Sequence, residues 1–274
     1  MPDEEAMEKV DSLEKKRRRR RGIYLLPNLF TTAALFSGFY AIVAANNDRF
    51  EAAAIAIFVA MVMDGLDGRV ARLTNTQSAF GAEYDSLADV VSFGLAPALV
   101  MYEWSLFSLG KPGWLAAFFY TAAAALRLAR FNTQVGKVNK AYFQGLPSPA
   151  AAAVMLGLVW LCTDYEIPGT AFIIALTAFF TTIIIGFLMV STVRYRSFKD
   201  LDLRGRVRFV TILFVVMIFM FISSDPPQVL FIIFLLYALS GPVWTLIQKR
   251  KRRATRLTVG TTTDHQETTG GQDK

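Results

Sequence analysis

Met63-Asp64-Gly65-Leu66-Asp67-Gly68-Arg69-Val70-Ala71-Arg72 and Gly81-Ala82-Glu83-Tyr84-Asp85-Ser86-Leu87-Ala88-Asp89 set two pairs of carboxylates against long apolar runs. Ionised carboxylates in or beside hydrocarbon are costly, and packing alone rarely calls for them. Asp64 and Asp67 stand three apart and share one helix face, while Gly81, Asp85 and Asp89 stand four apart and form a second stripe. Only residues 73–80 separate the two segments, so the helices are expected to be antiparallel neighbours whose acids meet. Four unpaired carboxylates so placed repel strongly at low dielectric. One or two divalent cations relieve that repulsion, and oxygen-only ligands suit Mg2+, Mn2+ or Ca2+ better than zinc.

The chain around these segments is apolar. Of its 274 residues 54% are hydrophobic, 23 are Phe and the mean hydropathy is +0.39, which exceeds what a soluble domain of this size carries. The expected fold is an all-α polytopic membrane protein, because the runs have helix rather than barrel-strand length. About eight transmembrane helices are expected, near 28–46, 50–72, 82–104, 113–131, 149–163, 168–190, 207–223 and 227–248. Residues 132–147 and 194–208 are expected loops, polar and basic respectively, and Ser223-Ser224-Asp225-Pro226-Pro227 is an expected turn. Three regions follow: a basic N-terminal segment 1–22, a transmembrane domain 23–248, and a basic, polar tail 249–274 expected to be disordered. The apolar run after Lys15–Arg21 is too long for a cleavable signal and ends in no cleavage site. A lone Cys162 excludes a disulfide framework and a Cys-rich metal site. The only histidine, His265, lies in the tail, so a base in the membrane domain must be carboxylate, Tyr, Lys or water.

Eight helices return both termini to one side. All of the 29 lysines and arginines except Arg49 and Lys111 then fall on that side, which makes it cytoplasmic. Both acidic segments sit at the cytoplasmic ends of their helices, in a multi-pass protein of the cytoplasmic membrane. The clusters at 15–21 and 249–253 fix topology and attract anionic membrane lipids. Charge alone gives no reason to invoke nucleic acid. A cation transporter is the competing class, but it predicts acids spread through the bilayer depth, often on broken helices. Here they cluster at one end, beside an arginine that opposes cation passage.

Gly68 and Gly81, and Gly65 with them, each weaken a helix by roughly 1 kcal/mol relative to Ala. Their missing side chains let phosphates approach the backbone, and Arg72 supplies a planar fork suited to phosphate. Small residues and Asp–Arg pairs at a helix interface account for Gly65 or Arg69 alone. They do not account for four acids, glycines and Arg72 together, which suggest a metal-bridged pyrophosphate.

The pattern Asp64-x-x-Asp67-Gly68-x-x-Ala71-Arg72, eight residues, Gly81-x-x-x-Asp85-x-x-x-Asp89 resembles the signature of the CDP-alcohol phosphotransferase family at every fixed position. The resemblance implies a six-helix core over most of residues 25–190 with two further C-terminal helices. It implies transfer of a phosphatidyl-type group from a CDP-linked lipid to an alcohol, with release of CMP. Asp64, Asp67, Asp85 and Asp89 would bind Mg2+ or Mn2+, one ion or two, and Asp89 would also act as the catalytic base. Gly68, Ala71, Arg72 and Gly81 would shape the nucleotide and pyrophosphate site. A homodimer is implied as well.

Leu126-Arg127-Leu128-Ala129-Arg130-Phe131-Asn132 and Phe143-Gln144-Gly145-Leu146-Pro147-Ser148-Pro149 look like the serine-accepting branch of that family. The partners would then be CDP-diacylglycerol and L-serine. Arg127 or Arg130 could meet the serine carboxylate, and Asn132 and Gln144 could hydrogen-bond its amine or carboxylate. Topology alone also accounts for the two arginines, and a helix-initiating turn for Gly145–Pro149. Glycerol 3-phosphate or inositol phosphate would want several cations, for which Arg127, Arg130, Arg194 and Arg196 are available. Choline would want an aromatic cage, which 13% aromatic content allows.

Overall fold

A computed structural model describes residues 26–74, 76–134, 142–196 and 223–245, together with Leu213, Val216, Met217, Met220 and Phe221. Its helices are α1 (Leu26–Ala45), α2 (Phe50–Leu73), α3 (Ala79–Asp89), α4 (Ala96–Trp104), α5 (Lys111–Gln134), α6 (Ser148–Asp164), α7 (Phe172–Val190) and α8 (Pro226–Thr245). The continuous stretch Ala79–Trp104, α1, α7 and α8 are each long and apolar enough to cross a membrane. The protein is a polytopic, helical membrane protein. α2 and α5 have 24 residues each but are interrupted by Asp64, Asp67, Arg69 and Arg72 or by Lys111, Arg127 and Arg130. α6 has only 17 residues. The described helices therefore support the polytopic class without fixing the count at eight. Most of the seventh expected span, 207–223, lies outside the described residues, as do segments 1–22 and 249–274.

α6 is the centre of the bundle. It packs on α2, α4 and α7, while α5 lies along α7. Ala150 to Val159 of α6 are all buried. The facing surfaces are built from small side chains, including Ala53, Ala54, Ala56 and Ala60 of α2 and Ala150 to Ala153 of α6. Lipid tails are as apolar as leucine, so close backbone approach holds such helices together where hydrophobicity cannot. Gly38 of α1 shows the tolerance: an added Cβ would lie 2.7 Å from the Ser92 Cα.

Ser78 opens α3 three residues before the expected position. Its hydroxyl accepts the Gly81 N–H at 3.0 Å, satisfying a free donor of the first turn. Directly after Asp89 the helix widens into a π turn, Val90–Leu95, before resuming as α4. The Ala96 N–H reaches back five residues to the Val91 carbonyl. Two side-chain bonds support the turn: Tyr120 donates to the Phe93 carbonyl at 3.1 Å, and Ser92 donates to the Ala34 carbonyl at 3.1 Å. Such turns hold one residue more than an α-helix and often lie at functional sites.

Two further differences from expectation have physical causes. The helix expected from 168 begins at Phe172, because Pro168, Gly169 and Thr170 build a turn. Ser105 donates to the Gly169 carbonyl at 2.7 Å and ties that turn to the end of α4. The expected loops 132–147 and 194–208 contain a short antiparallel ribbon, β1 (Tyr142–Gln144) with β2 (Arg194–Arg196), in the register Gln144 to Arg194. Gly145 follows at φ +80°, where an added Cβ would strike the Met189 carbonyl, so glycine is required.

Candidate active site

α2 and α3 bring three acids together. One carboxylate oxygen from each of Asp64, Asp67 and Asp85 lies within 4.8 Å of the others. Asp67 is buried, 5% exposed, and Asp64 and Asp85 are half-buried. This all-oxygen donor set fits a hard divalent cation. Thr31 of α1 donates to Asp67 Oδ2 at 2.7 Å and fixes the orientation of the deepest acid. Asp89, one turn past Asp85, stands outside this cluster of three. It is half-buried, within hydrogen-bonding reach of Asp64 and within electrostatic range of Arg127.

Asp67 and Asp85 also line a cavity of about 350 Å³. Gly68, Ala71, Arg72 and Gly81 line the same cavity, so the residues expected around a nucleotide pyrophosphate share one space with two of the acids. No atom lies within 4 Å of a Cβ built on Gly65 or Gly68, so the backbone there is open to a ligand. Arg72 is exposed, and its Nε donates to the Gly68 carbonyl at 2.7 Å, which anchors the guanidinium at the rim. The rest of the lining was not expected at the site: Pro27, Asn28 and Thr31 from α1, Thr76, Gln77 and Ser78 from the α2–α3 connection, and Ala82 of α3. The three-residue spacing of Asn28 and Thr31, just after a helix-opening proline, was the available signal.

The four expected acceptor residues are not equivalent. Arg127 is buried, 9% exposed, on α5. Its Nη1 donates to Ser148 Oγ at 2.9 Å, and its Nε has no hydrogen-bond partner among the described residues. It is the one candidate placed against Asp89. Arg130 instead donates to the Val190 carbonyl at 2.8 Å and caps the end of α7. Asn132 donates to Ser86 at 2.9 Å, joining α5 to α3 beside Asp85. Gln144 is exposed on β1. Of Arg194 and Arg196 only the backbone, in β2, is described.

A hard-cation cluster beside an open, arginine-rimmed cavity, at one end of a membrane helix bundle, defines a membrane protein equipped to handle phosphate esters. Residues 24–184 match the model of the CDP-alcohol phosphatidyltransferase family. A Helicobacter pylori protein named CDP-diacylglycerol–serine O-phosphatidyltransferase is 37% identical over 198 residues, covering 72% of this chain and 82% of its own. Proteins of the same name from Mycobacterium tuberculosis and Saccharomyces cerevisiae are 44% and 40% identical. Their alignments cover 53% and 46% of this chain, and 53% and 50% of theirs. The chain belongs to the CDP-alcohol phosphatidyltransferase family.

Proposed function

We propose that this protein transfers the phosphatidyl group of CDP-diacylglycerol to the hydroxyl of L-serine, giving phosphatidylserine and CMP. The observation that carries the reading is the shared cavity, in which Asp67 and Asp85 stand beside Gly68, Arg72 and Gly81. Asp64, Asp67, Asp85 and Asp89 hold Mg2+ or Mn2+, one ion or two. A divalent ion held there would supply charge neutralisation to the pyrophosphate and to the CMP that leaves. Arg72 binds a phosphate at the rim, and Gly68, Ala71 and Gly81 leave room for the nucleotide. Asp89 takes the serine hydroxyl proton as the new oxygen–phosphorus bond forms and the bond to CMP breaks. Arg127 receives the serine carboxylate through its Nε, which has no hydrogen-bond partner among the described residues. Arg130, Asn132 and Gln144 shape the acceptor side less directly, through the ends of α5 and α7 and the ribbon.

The active site and both termini face the cytoplasm, where a soluble alcohol meets a lipid-held donor. The basic termini rest on anionic lipids, and the protein works as a homodimer, as the family resemblance suggests. Purified protein supplied with CDP-diacylglycerol, Mg2+ or Mn2+, and one of serine, glycerol 3-phosphate, inositol phosphate or choline tests the reaction. CMP release with serine alone, lost in excess chelator, is expected. Release with another alcohol instead would overturn the serine assignment, and turnover in chelator would overturn the metal.

A further inference from the structure

The turn that opens α6 is pinned more firmly than a helix entry requires. The Gly145 N–H donates to the Val193 carbonyl at 2.9 Å, and the Leu146 N–H donates to the Leu188 carbonyl of α7 at 3.0 Å. The β1–β2 ribbon that leads into this turn is seated in its own right on α8, which lies beyond residues 24–184, the span shared with the family model. The buried Tyr195 ring of β2 fills the notch left by Gly241 and packs on Tyr237, with centroids 5.6 Å apart. The Tyr195 hydroxyl donates to the Ala238 carbonyl at 2.9 Å. Leu146 and Ser148 are fully buried as a result. Ser148 is the first residue of α6, and its Oγ accepts from Arg127 Nη1 at 2.9 Å.

We propose that Ser148 is a positioning residue for Arg127, holding the guanidinium so that its Nε–H is ready for the carboxylate of the acceptor. The inference rests on the serine-transfer reading above. A guanidinium is planar, so a bond at Nη1 together with a buried stem sets the direction of the Nε–H on another edge of the same plane. The rotamer freedom of the arginine is then lost on folding and not on binding, which favours the acceptor. A hydroxyl does this without adding a charge of its own beside the cation. The pinned turn and the ribbon seated on α8 keep the Ser148 hydroxyl in place.

Ser148→Ala removes the hydroxyl, and Ser148→Cys keeps the volume but leaves only a weak acceptor. In both, the KM for serine should rise about tenfold, the scale of a lost hydrogen bond to a charged group. The kcat and the KM for CDP-diacylglycerol should hold, because the bond serves acceptor binding and not the chemical step. KM is read from the folded fraction alone, so a lowered thermal midpoint in either variant does not mask the result. A merely structural serine would lower the midpoint and leave the serine KM where it was. That outcome, or equal rises for both substrates, would overturn the proposal. A wild-type protein that ignores serine and takes a phosphate-bearing alcohol would reject the serine reading alone, and the same comparison made with that alcohol then decides the role of Ser148. A wild-type protein that takes only choline, which offers no anion to Arg127, would overturn both.

Discussion

Thr31 shows how little of a site can reside in its motif. Its hydroxyl holds Asp67, the most buried of the three clustered acids, from a helix that contributes no carboxylate. Thr31→Val keeps the shape and deletes the donor. The apparent affinity for Mn2+, followed by metal titration of CMP release, should fall by roughly 10- to 100-fold, as for other groups that orient metal ligands. Asp89→Asn keeps size and polarity but cannot take a proton. CMP release should drop by at least about 100-fold, while calorimetric binding of CDP persists. Full turnover in that variant would remove Asp89 as the base. The acids, Gly68, Arg72 and Gly81 were readable because identity and spacing reinforce one another. Thr31 was not, since its three-residue spacing from Asn28 is too weak a signal to distinguish it from the helix hydroxyls that bond only their own backbone. Arg127 and Arg130 read alike in sequence, and only the fold separates them: one meets Ser148 near Asp89, the other a carbonyl of α7.

At the scale of the elements, long helices were legible from apolar runs, and α2 and α6 fall within two residues of expectation at each end. Short or irregular pieces were not. Three-residue strands carry too few positions to show a period, so β1 and β2 were hidden inside polar and basic loops. The π turn had no sequence signal because Val90–Leu95 reads as an ordinary apolar run. Interhelical contact was partly legible as an abundance of alanine and glycine, but not which helix meets which. Gly38 makes that contact testable. Gly38→Val forces side-chain atoms into the Ser92 backbone and should destabilise the contact between α1 and the π turn by about 1–3 kcal/mol, the usual scale for overpacking. A lowered thermal midpoint in detergent would register it. An unchanged midpoint would mean that the helices separate easily there.

For the whole molecule, the distribution of basic residues is the strongest clue to orientation. In the orientation proposed above, Arg49 and the Pro168–Thr170 turn lie on one face of the membrane and the acidic segments on the other. Single cysteines in a Cys162→Ser background test this. A membrane-impermeant thiol reagent should label Thr170→Cys in intact cells and Glu83→Cys only after permeabilisation; both positions are exposed. The reverse pattern would invert the protein. Membrane character and family were thus readable from composition and one motif. The geometry that joins α8 to the β1–β2 ribbon was not, because it depends on contacts between Tyr195, Tyr237 and Gly241 brought together only by folding.

The π turn below Asp89 gives this helix slack in length without slack in phase. An α-helix rotates by about 100° for every residue gained or lost, so a deletion within α3 would swing Asp85 and Asp89 relative to each other or to the packing face. A deletion within Val90–Leu95 has another outlet, because a wide turn that loses one residue closes into a regular α turn. The acids above and the packed residues below keep their bearings, and what is lost is the carbonyl geometry that Tyr120 secures. The six residues after Asp89 are therefore where this helix can lose one residue while the acids stay aimed at α2.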